Sequence, residues 1–137
     1  MKFEYFNPNP DAKTFKSGKP KFWNRRDDVI RAICKVTNKS WADVYKELFE
    51  ISVSYNDMIN SKNVVNNYID SIHGNFVTLG KPKAGEKRIT IEEFANKYNE
   101  GTYILYLRDY YVAIIDGVLY NTININSEAV YSYWKLS

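Results

Sequence analysis

GTYILYLRDYYVAIIDGVLYNT, residues 101–122, decides how the second half of this chain folds. The runs 103–107, 111–115 and 118–120 are dense in aromatic and β-branched residues, which suit a pleated surface packed on at least one side. Between the last two stands Asp116-Gly117, a pair that tolerates the positive φ needed at both positions of a two-residue hairpin. A fourth run of the same character follows at 130–134. These segments predict antiparallel strands.

Upstream, the apolar spacing changes from two to three and four. Val29, Ile30, Ile33 and Val36 predict a helix over about 28–37, with Asp27 or Asp28 at its cap. Ser40 and Asp43 resemble a capping box, and Trp41, Val44, Tyr45 and Leu48 make the stripe of a second helix. A third stripe, Val64, Val65, Tyr68, Ile69 and Ile72, lies between Ser61 and Gly74, with Gly74 placed as a C-terminal cap. Residues 76–79 read as a short strand and 80–88 as a polar loop. Thr90 and Glu93 form another capping box, opening a short helix with Ile91, Phe94, Ala95 and Tyr98. Helices followed by antiparallel strands indicate an α+β domain. Trp41 and Trp134 fall on buried faces and are read as structural.

The 137 residues, 45% of them apolar, suit one domain over 1–137 and contain no apolar run of membrane-spanning length. One cysteine, Cys34, and one histidine, His73, leave no intramolecular disulfide and no Cys/His zinc or iron–sulfur site. Glycine-rich nucleotide loops and the GxSxG hydrolase signature are absent. No cofactor and no metal are expected. The opening MKFEYFNPNP lacks a secretory pattern, so a reducing cytoplasm is the expected location, with no membrane partner.

Charge is unevenly placed. The net is +3, yet residues 1–26 carry +5 and the other 111 carry −2. Lys13, Lys16, Lys19, Lys21, Arg25 and Arg26 fall in a basic arm or loop at about 11–26, broken by Gly18 and Pro20 and interleaved with Phe15, Phe22 and Trp23. Such a segment can meet phosphates or an acidic protein surface, or can be a solvated loop.

The segments FNPNP (6–10), RDDVIRAI (26–33), KSWADVYKEL (39–48), GTYIL (101–105), YYVAIIDG (110–117), LYNT (119–122) and YSYW (131–134) stand in a telling order. Together, from Phe6 to Trp134, the chain resembles a family of small papain-like-fold, cysteine peptidase-like proteins common in bacteriophages and other mobile elements of Gram-positive bacteria. The resemblance implies N-terminal helices packed on a C-terminal antiparallel sheet. It also implies a nucleophilic cysteine at a helix start, a histidine base opening a strand, and an aspartate after a tyrosine in the next strand. This chain has Asp28, Tyr110 and Asn121 at those positions, and Asn124 at the family's second aspartate.

Each replacement removes part of the chemistry. A carboxylate is no soft nucleophile, and a phenol with a pKa near roughly 10 cannot shuttle protons as imidazole does at neutral pH. Cys34 is six residues past Asp28, a rotation of about 600°, and projects roughly 120° from the old nucleophile direction. His73 precedes Gly74 at a helix end, where imidazoles bond terminal carbonyls. No catalytic residue is therefore assigned. Asp28 reads as an N-cap, and a sharper expectation is a hydrogen bond from the Tyr110 hydroxyl to Asp28 across the former cleft. What the resemblance implies is a pseudoenzyme of phage origin that binds a host protein or ribonucleoprotein through Lys13, Lys16, Lys19, Lys21, Arg25 and Arg26 and inhibits it, as against a defence system. One alternative is nucleic-acid binding by that arm, with Phe15, Phe22 or Trp23 stacking on bases. Another is a hydrolase with a non-standard site around Asp28, which requires a second carboxylate facing it.

Overall fold

A computed structural model describes residues 2–10 and 27–137. The basic segment 11–26, with Lys13, Lys16, Lys19, Lys21, Arg25 and Arg26 and the aromatic Phe15, Phe22 and Trp23, lies outside the described residues. Chain order is β1 (Lys2–Tyr5), α1 (Asp28–Thr37), α2 (Trp41–Tyr55), α3 (Lys62–Ser71), β2 (Asn75–Thr78), α4 (Ile91–Lys97), β3 (Thr102–Leu107), β4 (Tyr110–Ile115), β5 (Val118–Asn121) and β6 (Ser132–Lys135). Helices and strands thus combine in an α+β arrangement.

The sheet is where expectation and structure part. Its six strands run β1-β5-β4-β3-β6-β2, and β1 joins β5 in parallel, pairing Lys2 with Val118 and Tyr5 with Asn121. The sheet is therefore mixed rather than antiparallel, and its two edges come from the N-terminus and the middle of the chain. KFEY alternates polar and aromatic residues over four positions only, too few to mark a strand alone, and its neighbour lies over a hundred residues away, so tertiary pairing makes it one.

Alternation along the central strands builds two cores on one sheet. Ile104, Tyr111, Ala113 and Trp134 face α1, α2 and α3, whereas Tyr103, Leu105, Leu107, Val112, Ile114 and Tyr133 face α4. α1 is buried through most of its length because it packs against β4 on one side and α2 on another. The expected layering of helices on one face is thus extended by α4, which covers the opposite face with Ile91, Phe94 and Ala95. Among the described residues no helix is long and apolar enough to cross a membrane.

Local signals act largely as expected. Asp116 and Gly117 both take positive φ, 48° and 76°, in the β4–β5 turn. The Thr90–Glu93 capping box forms in both directions, while the Ser40–Asp43 pair supplies only the half in which the Ser40 hydroxyl accepts from the Asp43 backbone N–H. Trp134 is fully buried, but Trp41 is only partly so.

Gly74 has a different reason for being glycine than a left-handed cap. The left-handed residue at the end of α3 is His73, with φ 67°, and the Gly74 N–H donates to the Ile69 carbonyl at 2.9 Å. A Cβ at residue 74 would stand 2.2 Å from Ile69 Cγ2 and 3.2 Å from its carbonyl oxygen. Gly74→Ala should therefore destabilise the protein by roughly 1–3 kcal/mol, the usual range for overpacking a filled site. A lowered urea midpoint with unchanged slope is the expected reading.

Candidate functional site

The start of α1, the start of β4 and the end of β5 converge. Asp28 is the first residue of α1, Tyr110 the first of β4 and Asn121 the last of β5. β4 and β5 are antiparallel neighbours, and α1 lies against β4, so three positions far apart in sequence share one corner of the fold.

Arg31 joins two of them. It is one helical turn into α1, only 1% exposed, and each guanidinium nitrogen is engaged. Nη1 donates to Asp27 Oδ1, Nη2 to the Tyr110 hydroxyl at 2.7 Å and to Asn121 Oδ1 at 3.0 Å, and Nε to Asn121 Oδ1 at 3.1 Å. The Tyr110 hydroxyl in turn donates to Asn121 Oδ1 at 3.3 Å. Asn121 uses its amide to donate to the Ile123 carbonyl at 3.1 Å, and Asp27 Oδ2 accepts from the Trp41 indole N–H at 3.1 Å. A buried guanidinium with its charge matched by a carboxylate and its remaining protons taken by neutral acceptors is how a charge survives away from water.

Asp28 stands beside this network but outside it. The Tyr110 hydroxyl is bonded to Arg31 and Asn121 rather than to Asp28, which corrects the expected Tyr110–Asp28 bond. Asp28 Oδ2 instead accepts from the Tyr111 backbone N–H at 2.8 Å, tying α1 to the first turn of β4. The N-cap position belongs to Asp27, whose side chain makes no capping bond, so Asp28 is not the cap either. Burial is the main influence on the Asp28 carboxyl and pushes it up to about 6, against the opposing pull of the Tyr111 N–H and the Arg31 charge.

A pocket of about 210 Å³ lies beside Tyr110, lined by Leu107, Arg108, Ile123, Ile125 and Glu128. The second carboxylate closest in sequence to Asp28 is Asp27, and it is paired with Arg31. Among the described residues, Asp27 is the carboxylate whose charge acts on Asp28, and its Oδ1 is committed to Arg31.

Cys34 and His73 do not rebuild a thiol–imidazole pair. Cys34 is buried in the core between α1, α2 and α3, and burial pushes its thiol up to about 12. His73 is exposed beyond the end of α3, and it is its backbone N–H that donates to the Asp70 carbonyl at 3.0 Å. No family model, curated protein or solved structure matches the chain.

Sequence reading singled out Asp28, Tyr110 and Asn121 but gave Asp27 only a capping role and passed over Arg31, its partner in the pair that organises the corner. The signal was present. Asp27 and Arg31 are four residues apart with the acid first, the favourable order on a helix, and Arg31 interrupts the apolar pattern of VIRAIC. An arginine in that pattern needs an acid to accompany it into the core.

Proposed function

We propose that the chain is a non-catalytic, papain-like protein of bacteriophage type that works in a bacterial cytoplasm by binding a host protein or ribonucleoprotein, with inhibition of a defence system as the service such binding provides. The observation that carries this reading is that the three residues at the family's nucleophile, base and orienting positions meet at one corner and are all committed to structural bonds. Tyr110 and Asn121 are ligated by Arg31, and Asp28 holds a peptide N–H. The placement also supports the papain-like ancestry, since helix start, strand start and neighbouring strand end stand as that resemblance implies. A carboxyl near 6 is a feature of acid–base catalysts too, but Asp28 is 7% exposed and its Oδ2 is spent on the backbone of β4. In this reading Lys13, Lys16, Lys19, Lys21, Arg25 and Arg26 make the partner contact, since six basic residues within fourteen positions carry charge suited to an acidic protein patch or to phosphates.

The test has two arms. Peptide and amide substrates incubated with the protein should show no turnover above background; turnover that Asp28→Ala abolishes would establish a hydrolase and end this reading. Capture from a Gram-positive host lysate should retain a partner that is lost when Lys13, Lys16, Lys19 and Lys21 are all changed to Glu. Retention of nucleic acid alone, weakening steeply between low and moderate salt, would replace the protein partner with direct nucleic-acid binding.

A further inference from the structure

The outward side of α2 carries an ordered apolar row that the fold leaves open. Trp41, Tyr45 and Phe49 follow one another at four-residue spacing, with ring centroids 5.3 and 6.3 Å apart and planes within 8° and 13° of parallel. Val53 continues the row at 59% exposure, Phe49 is 50% exposed, and Met58, just past the helix end, is 69% exposed. Beside them lies a hollow of about 620 Å³, bordered by Tyr45, Phe49, Val53, Met58 and Ile59. Stacked rings held in place by one another have little freedom left to lose on contact, which lowers the cost of binding.

Charge at the border of the row indicates what covers it. Lys46 and Glu50 flank it on the outward side, four residues apart, and among the described residues neither pairs with another charge. Lys before Glu is the less favourable order for pairing within one helix. A two-fold axis perpendicular to the helix reverses chain direction but keeps each flank on its own side. Lys46 of one copy then meets Glu50 of the other, and the reverse, in the same contact. The midpoint of those two residues is Leu48, about 1.5 Å along the axis from Phe49, so the charge pairs and the aromatic row share one centre. About that centre Tyr45, four residues before Phe49, lies opposite Val53 of the other copy, four residues after it, next to the hollow.

We propose that the α2 face is the contact between two copies of this chain, paired antiparallel about a two-fold axis near Phe49. The area fits a reversible dimer. Tyr45, Phe49, Val53 and Met58 offer roughly 400 Å² of apolar surface per copy, and a polar rim brings this to about 600–800 Å², the lower end of specific interfaces. Interfaces of this size range from micromolar dissociation to far tighter, and the weak end sets the concentrations the test must reach.

Sedimentation equilibrium on the full chain tests it over about 1–500 μM, a span that brackets micromolar dissociation. The average mass should climb from 16.1 kDa toward twice that value. Phe49→Lys, at an exposed position where the fold is expected to persist, should hold the protein at the monomer mass, with circular dichroism confirming the helices. Lys46→Glu and Glu50→Lys should each weaken pairing at least tenfold, and the two together should restore it to within about threefold of the parent. A parent chain that stays monomeric, a dimer indifferent to Phe49→Lys, or a double charge exchange no better than either single one would each overturn the proposal.

Discussion

Arg31→Met should lower the stability of this protein by roughly 3–5 kcal/mol, the usual cost of breaking a buried ion pair by removing one of its members. Asp27 would keep its carboxylate in the core without the Arg31 guanidinium, the Tyr110 hydroxyl would lose the Arg31 N–H that it accepts, and Asn121 Oδ1 would lose both guanidinium donors while keeping the Tyr110 hydroxyl. For a domain of this size that is a large share of the total stability. The check is chemical denaturation of the parent, Arg31→Met, Asp27→Asn and the double variant. Removing both partners should cost less than the sum of the single losses, since the double variant leaves no uncompensated charge, and the coupling should fall in the range of about 0.5–3 kcal/mol typical of one network. Additive losses would mean that Asp27 and Arg31 do not depend on each other, and that the corner is held by packing alone.

Asp28→Asn should act in the opposite direction, and only above a certain pH. The carboxyl rises from 3.8 to about 6 on folding, chiefly through burial, so between these values the folded state holds a proton that the unfolded chain has released. A group raised in this way reduces stability as pH climbs through that window, and the whole penalty is present above the folded value. A shift of this size corresponds to roughly 2–3 kcal/mol. Asparagine keeps an acceptor for the Tyr111 N–H while removing the buried charge. The variant should therefore be more stable than the parent by up to about that amount at pH 8 and no different at pH 3, where both side chains are neutral. Comparing the two proteins at each pH cancels the response of every other carboxylate. An equal gain at pH 3 and pH 8 would assign the effect to packing instead of charge.

Both expectations concern a corner whose residues look catalytic by position and structural by bonding. Tyr110 stands at the head of a strand, next to an asparagine on the neighbouring strand and near a helix start, at the position where the resemblance expects a base. Its hydroxyl is instead shared between a guanidinium and an amide carbonyl. The same bonds that make Arg31 tolerable in the core occupy the Tyr110 hydroxyl and the Asn121 carbonyl.

Much of this was legible in advance, and the reasons differ by element. α1 begins and ends where its apolar spacing places it, because three- and four-residue periodicity is a property of the segment alone. The β4–β5 hairpin was equally local, since Asp116-Gly117 states its own backbone conformation. β1 was not legible, because a four-residue edge strand is made by its partner. The Asp28–Tyr110 bond was expected from two correct positions, but which acceptor a hydroxyl finds depends on distances of a few tenths of an ångström that no spacing encodes. Gly74 was read as a cap for its backbone freedom, whereas the adjoining Ile69 methyl is what excludes a Cβ.

By itself the amino-acid sequence determined the four described helices, the central strands and their hairpin, and the absence of a cysteine–histidine pair at the positions where the resemblance expects one, because each of these is written in short-range pattern or in residue identity. Only the tertiary structure decided that the sheet is mixed, that α4 covers its second face, and that Arg31 gathers Asp27, Tyr110 and Asn121 at one corner. Those outcomes depend on which distant groups become neighbours when the chain closes on itself, and a buried guanidinium takes whatever acceptors that closure delivers.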